Sequence, residues 1–202
     1  MAVEYKEQSS SGAFASQSTI VLPKPTNLAV GDLMILHMTI GDSANVSGGT
    51  TGWTNVTSLS AGSSKYNTTR NSVWYKIADS TDVASSNVIS VTLNSVSTSA
   101  GRIATFTGIK STSTITESKC ETVTSNASTG AWSVNNDITP SVANCMLVVF
   151  VSVDASNTTN GSYSIETSDP GSWSELWDFG TTLSVDYSQS AAYSAQRPET
   201  IS

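Results

Sequence analysis

Alternation of apolar and polar residues with a period of two runs through this chain, and no stretch sustains the helical period over the ten or so residues a convincing helix needs. The pattern commits the chain to strands. In NSVWYKIAD (71–79), Val73, Tyr75 and Ile77 fall on one face and Ser72, Trp74 and Lys76 on the other, as in a half-buried strand. NVISVTL (87–93) gathers Ile89, Val91 and Leu93, and GRIATFTG (101–108) sets Ala104 and Phe106 against Ile103, Thr105 and Thr107. Further strands are predicted at 18–22, 53–59, 173–180 and 181–188, separated by turn clusters such as SGGTTG and TSDPGS. Short strands with turns between them pack as a sandwich or a barrel, so the expected class is all-β.

Two apolar runs are written nearly alike: VGDLMILHMTIGDS at 30–43 and ANCMLVVFVSVDAS at 143–156. Setting Gly31 on Asn144 places Leu33 on Met146, Ile35 on Val148, Leu36 on Val149, His37 on Phe150 and Thr39 on Ser152. Each run is apolar at successive positions, as in a central strand covered on both faces. Each is followed by a polar loop and a tryptophan-bearing strand, TGWTNVTSL (51–59) and GSWSELWDF (171–179), then by a strand with a matched tyrosine, SVWYKIA (72–78) and SAAYSAQ (190–196). Three matched elements in one order favour a fold of two internally similar halves, against the alternative that strands in a Ser-rich chain resemble one another by composition. The expected organisation is an N-terminal arm at 1–17 and one sandwich domain at 18–202. Within that domain, half one is 18–110, a polar connection is 111–130 with an edge strand at 119–124, and half two is 131–202. Half one continues through 87–93 to a closing strand near 100–109, and half two shows no counterpart. An edge left open in this way could accept a strand from a neighbour.

The 202 residues carry enough apolar material for a proper core. Ser and Thr make up roughly a third of the chain and charged residues 12%, so hydroxyls dominate its surface. A net charge of −7 leaves little to neutralise phosphates, which argues against nucleic-acid partners and anionic membranes. The opening MAVEYKEQSSSG lacks the apolar core of a secretory signal, and no apolar run reaches transmembrane length. The chain is therefore expected to work where it is made or to leave within a particle. Cys145 reads as a small buried hydrophobe, and spacing does not decide whether Cys120 and Cys145 are bonded.

Catalytic and metal chemistry find no constellation. His37 is the chain's one histidine, and it sits inside a strand with no GxSxG or second histidine to share a proton. It is expected to be buried or at an interface. Of the pairs Glu4/Glu7, Asp79/Asp82, Glu166/Asp169 and Glu175/Asp178, the last on a short strand, most read as turn formers against the alternative of a catalytic pair, since sequence cannot give the separation that glycoside hydrolysis needs. Asp42, Asp137 and Asp154 make no calcium-loop run, so no metal and no cofactor is expected. Trp53, Trp74 and Trp173 are the candidate ligand or interface aromatics. Trp53 and Trp173 occupy matched places as loop anchors or sugar-stacking platforms, and Trp74 faces a second layer or a partner. The sequons at Asn45, Asn55, Asn67, Asn126, Asn157 and Asn160 read as products of composition.

The succession GDLMILHMTIGD, GWTNVTSL, SVWYKIAD, AGRIATFTGI and ANCMLVVFVSVD, followed by a second tryptophan strand, resembles a group of phage and prophage structural domains. Members of that group read as a GDLLLA strand, P-x-GWT, an aromatic YYK strand, AxAFSGV and an NTLLV strand, and they occur in tail, fibre-like and particle-surface proteins. The likeness spans most of residues 18–196 and implies a jelly-roll-like sandwich. The function it implies is a non-enzymatic structural protein of the virion surface. Capsid decoration is favoured slightly over a tail or fibre component, because the chain has no coiled-coil or repeat stalk. The implied partners are other virion proteins, the major capsid or tail proteins among them, and further copies of the chain. The alternative is a carbohydrate- or receptor-binding module of a tail or fibre, with a surface glycan as ligand; a glycan-cleaving enzyme ranks last.

Overall fold

The computed structural model describes residues 3–10, 12–41, 44–61, 69–109, 146–155, 173–180 and 186–194. Ten strands and one short helix follow in chain order: β1 (Glu4–Gln8), β2 (Gly12–Pro23), β3 (Leu33–Ile40), β4 (Val46–Gly48), β5 (Thr54–Ala61), β6 (Thr69–Ile77), α1 (Ser80–Ala84), β7 (Asn87–Thr107), β8 (Val148–Ala155), β9 (Trp173–Gly180) and β10 (Asp186–Ser194). The chain is an all-β antiparallel sandwich. One seven-stranded sheet runs β1-β7-β3-β6-β5, with β2 and β4 also paired to β7, and a three-stranded sheet runs β8-β10-β9.

β3 positions everything else. Its even residues Met34, Leu36, Met38 and Ile40 are fully buried, against Ile20 and Leu22 of β2 and Ile89, Val91 and Leu93 of β7. Its odd residues Leu33 and Ile35 pack with Val73, Ala104 and Phe106 against Leu176, Trp177, Val148 and Phe150 of the second sheet. Side chains alternate across a strand, so a run apolar at consecutive positions needs cover on both faces. Here the two covers are different objects. The second sheet forms one. The other is the β2–β7 ribbon, folded back over the sheet from which it grows.

That ribbon departs from the reading of separate strands at 87–93 and 101–108. β7 is one strand of 21 residues. Its first part pairs with Thr19–Pro23 of β2 and with β4, and its last part pairs with β3 and β1. Register shifts after Phe14, with one extra residue in β2, and after Gln17, with three extra residues in β7, mark the bend, since residues added to one strand curve it. Between the two apolar patterns, Ser97, Thr98 and Ser99 are buried hydroxyl residues within the strand. Ser97 satisfies its hydroxyl by donating to the carbonyls of Gly41, at 2.8 Å, and Thr98, at 2.9 Å. The stretch read as an N-terminal arm is also in the sheet: β1 and the start of β2 lie along the same edge of β7. α1 was not anticipated. Asp79 caps it by accepting from the Thr81 and Asp82 amides, while the Asp82 carboxylate accepts from the Asp79 amide, a reciprocal cap that Asp-x-x-Asp spells in sequence. The predicted strand at 119–124 and residues 181–185 lie outside the described residues, as do Cys120 and Cys145. No helix among the described residues is long and apolar enough to cross a membrane.

The internal repeat is present in the hydrogen-bond register. β3, β5 and β6 form the order β3-β6-β5, and β8, β9 and β10 form β8-β10-β9. Ile35 pairs with Tyr75, Leu36 with Trp74 and His37 with Val73; their sequence counterparts pair as Val148 with Tyr193, Val149 with Ala192 and Phe150 with Ala191. On the other side, Thr54 and Asn55 oppose Tyr75 and Trp74, as Ser174 and Glu175 oppose Tyr193 and Ala192. Both pairings then slip by one residue at the same place, leaving Val56 and Leu176 as the extra residues before Thr57 meets Val73 and Trp177 meets Ala191. Compositional likeness could produce similar strings, but it would not set a common register with a common bulge.

Candidate functional site

The two three-stranded units meet face to face, and the residues at the centre of the contact are counterparts of one another. The His37 ring packs at 4.9 Å, tilted by 42°, against Phe150, which holds its place in the second half. Thr39 and its counterpart Ser152 share a hydrogen bond of 2.6 Å. β6 packs against β8, and β10 packs against β3. Self-paired counterparts flanked by exchanged contacts are the mark of a two-fold interface, here within one chain.

His37 is wholly buried at this centre. Its Nε2 lies 3.0 Å from the Ser152 hydroxyl, the Trp177 ring is 6.4 Å away, and its Nδ1 makes no hydrogen bond among the described residues. Burial holds the imidazole down at about 3, against a smaller upward pull from the Asn71 side chain. It is neutral near neutral pH and shut away from solvent. Arg102, opposite His37 on β7, lays its guanidinium 5.8 Å over the Trp177 ring and donates to Gln8 at 3.2 Å, closing this side of the contact.

Of the carboxylates considered as acid/base pairs, Asp79, Asp82 and Glu7 make structural contacts. The Lys76 ammonium lies 3.1 Å from Asp79 and 2.8 Å from Asp82, the two residues that cap α1. Hydrogen bonds from the Asp82 amide and from Lys76 lower the Asp79 carboxyl to about 2. Glu7 accepts from the Asn27 side-chain amide at 3.0 Å. Asp32, which neither the repeat nor the carboxylate pairs singled out, is buried: it accepts from Lys6 at 2.7 Å and from the Ala29 amide at 2.8 Å, tying β1 to the turn that enters β3. A buried Asp just before an apolar run was the only sequence signal for it. Among the described residues no group of His, Cys, Asp and Glu is placed to hold a metal ion.

The three aromatics separate. Trp53 is 8% exposed and packs in the core on the even face of β3, so it offers no open ring to a ligand. Trp74 packs against the same core from β6, opposite Val73 and Tyr75, and its indole Nε1 is buried without a hydrogen-bond partner among the described residues. Trp173 opens β9 and pairs with Ser194; its side chain lies outside the described set.

The remaining feature with functional geometry is the outer side of β8. β3 is laddered to β6 on one edge and to β7 on the other, whereas among the described residues β8 is laddered to β10 alone. Leu147, just before β8, and Val149 and Val151 within it are partly exposed, where their counterparts Met34, Leu36 and Met38 are at 0%. No family model matches the chain, and no curated protein or solved structure matches it.

Proposed function

We propose that this chain is a non-enzymatic structural protein of a phage particle, displayed on the virion surface, with capsid decoration favoured over a tail or fibre component. The observation that carries the reading is the interface of matched halves around His37: the chain's one imidazole is buried where the two sheets meet, and both faces of the central strand are covered. A hydroxyl-rich exterior with few charges suits docking onto other virion proteins, the major capsid or tail proteins among them. Many copies on a symmetric particle let modest interfaces add. The strand pattern shared with phage structural domains supports the same reading. The burial of Trp53 works against the alternative of a carbohydrate- or receptor-binding module. Antibody labelling of purified particles in electron microscopy, with mass spectrometry of the same particles, tests it: the expected result is a regular pattern of surface label, and a chain absent from every particle ends the proposal.

A further inference from the structure

The two faces of β3 are closed by cores that depend on different parts of the chain. On the even face, the described members of the core all come from residues 20–103, with Met34, Leu36 and Met38 packed under Ile20, Leu22 and Val91 of the ribbon. On the odd face the core is shared between the halves: Ile35, Val73 and Phe106 come from one, and Phe150, Leu176 and Trp177 from the other. Parting the two sheets would dismantle the second core and leave the first in place.

His37 belongs to the shared core. It is fully buried beside Phe150 and the Trp177 ring, and Arg102 sets its guanidinium over the same indole. A proton taken up there would put a second cation beside a ring that already carries one, out of reach of water. The groups that surround the imidazole are named by element. β7 brings Arg102, β1 brings Gln8 and Tyr5, β6 brings Asn71, and β9 brings Trp177. β8 brings Ser152, with Asp154 two positions further along the strand, and β10 places Gln189 and Tyr187 opposite those two in the ladder.

We infer that His37 is an acid-sensitive latch between the sheets: protonating it parts the β8-β10-β9 sheet from β3 while the core under the β2–β7 ribbon stays folded. The imidazole takes a proton at its ordinary 6.5 where solvent reaches it and at about 3 while the sheets are closed. The ratio of open to closed molecules therefore rises tenfold for each pH unit below 6.5, until about 3. Global unfolding gains the same factor but gives up the ribbon core as well, so acid draws out the partial opening first. Such a latch works the same way on a particle surface or free in solution.

Hydrogen exchange on the full chain from pH 6.5 to pH 5, corrected for the intrinsic pH dependence of amide exchange, tests this. In that window histidine titrates and carboxylates at their ordinary values do not, and His37 is the chain's one histidine. Protection along the β8–β10 ladder should fall about tenfold per pH unit, because three strands without a packed face do not hold their ladder. Amides of β2 at 20–22 and of β7 at 89–93 should keep theirs. His37→Phe should abolish the fall, and Asp154→Asn should leave it as it is; if the first variant fails to fold, the pattern in the unaltered chain and in the second still decides. Three results would overturn the inference: a fall of equal size in the ribbon strands, β8 and β10 protection unchanged from pH 6.5 to pH 5, or a fall that survives His37→Phe or vanishes with Asp154→Asn.

Discussion

At the scale of single residues, the repeat placed His37 opposite a phenylalanine, and this has a consequence in solution. The folded imidazole titrates at about 3 and the unfolded one at 6.5, so unfolding takes up a proton whenever the pH lies between them. The stability that depends on neutral His37 is complete above 6.5 and falls as pH drops toward 3, by about 1.4 kcal/mol per pH unit. Urea midpoints measured from pH 7 to pH 4 should decline accordingly. His37→Phe, which copies the Phe150 side chain while Thr39 keeps the Ser152 hydroxyl partnered, should flatten that decline; an unchanged slope would show that the imidazole is not what titrates. Asp79 acts in a lower window, because its folded carboxyl is depressed from 3.8 to about 2. The stability it contributes is present above 3.8 and disappears as pH falls to about 2, and Asp79→Asn should remove that step alone. The burial of His37 was legible in the sequence, because an apolar counterpart and apolar neighbours left it no polar surroundings. Its packing against that counterpart was not, because sequence pairs residues by order while the packing depends on how two sheets face each other.

At the scale of elements, β3 and β8 are one sequence pattern in two environments, and matched truncations should separate them. Leu36→Ala removes a fully buried side chain from the core under the β2–β7 ribbon and should destabilise by about 2–5 kcal/mol. Val149→Ala, at the counterpart position on a partly exposed face, should cost less than about 1.5 kcal/mol. Equal losses in urea unfolding would mean that the outer face of β8 is as well covered as that of β3. Gly49, just past β4, marks a second constraint: its φ is +80°, and a Cβ there would run into the Ser90 carbonyl oxygen. Gly49→Ala should destabilise by well over the ~1 kcal/mol of a simple φ penalty, with the loss showing first as faster exchange in β4. Strands 53–59, 71–79 and 173–180 were legible from the alternation of their residues and the turn clusters that bound them. β7 was not legible as one strand, because its middle turns inward the hydroxyls of Ser97, Thr98 and Ser99, and a periodicity reading takes buried serine for a turn. The Asp79 cap was overlooked for a different reason: one helical turn is too short to show a period, although Asp-x-x-Asp was present.

At the scale of the whole molecule, two halves with one register enclose a shared interior, and the chain reaches that arrangement through contacts far apart in sequence. Thr39 and Ser152 lie 113 positions apart and share a 2.6 Å hydrogen bond at the centre of the contact. If the halves dock as described, these residues must be energetically coupled, and a double-mutant cycle measures that coupling. Thr39→Val leaves the Ser152 hydroxyl with His37 alone, and Ser152→Ala leaves a buried Thr39 hydroxyl without this partner; each should cost about 1–3 kcal/mol, because a stranded polar group loses its hydration without recompense. The double variant replaces both hydroxyls with apolar groups of similar shape and should be less destabilised than the sum, by roughly 0.5–1.5 kcal/mol. Strict additivity would mean that the bond across the interface does not form. Subadditivity that persists at pH 7 in a His37→Phe background would assign the coupling to the hydroxyl pair itself and place the two halves in direct register across their shared core.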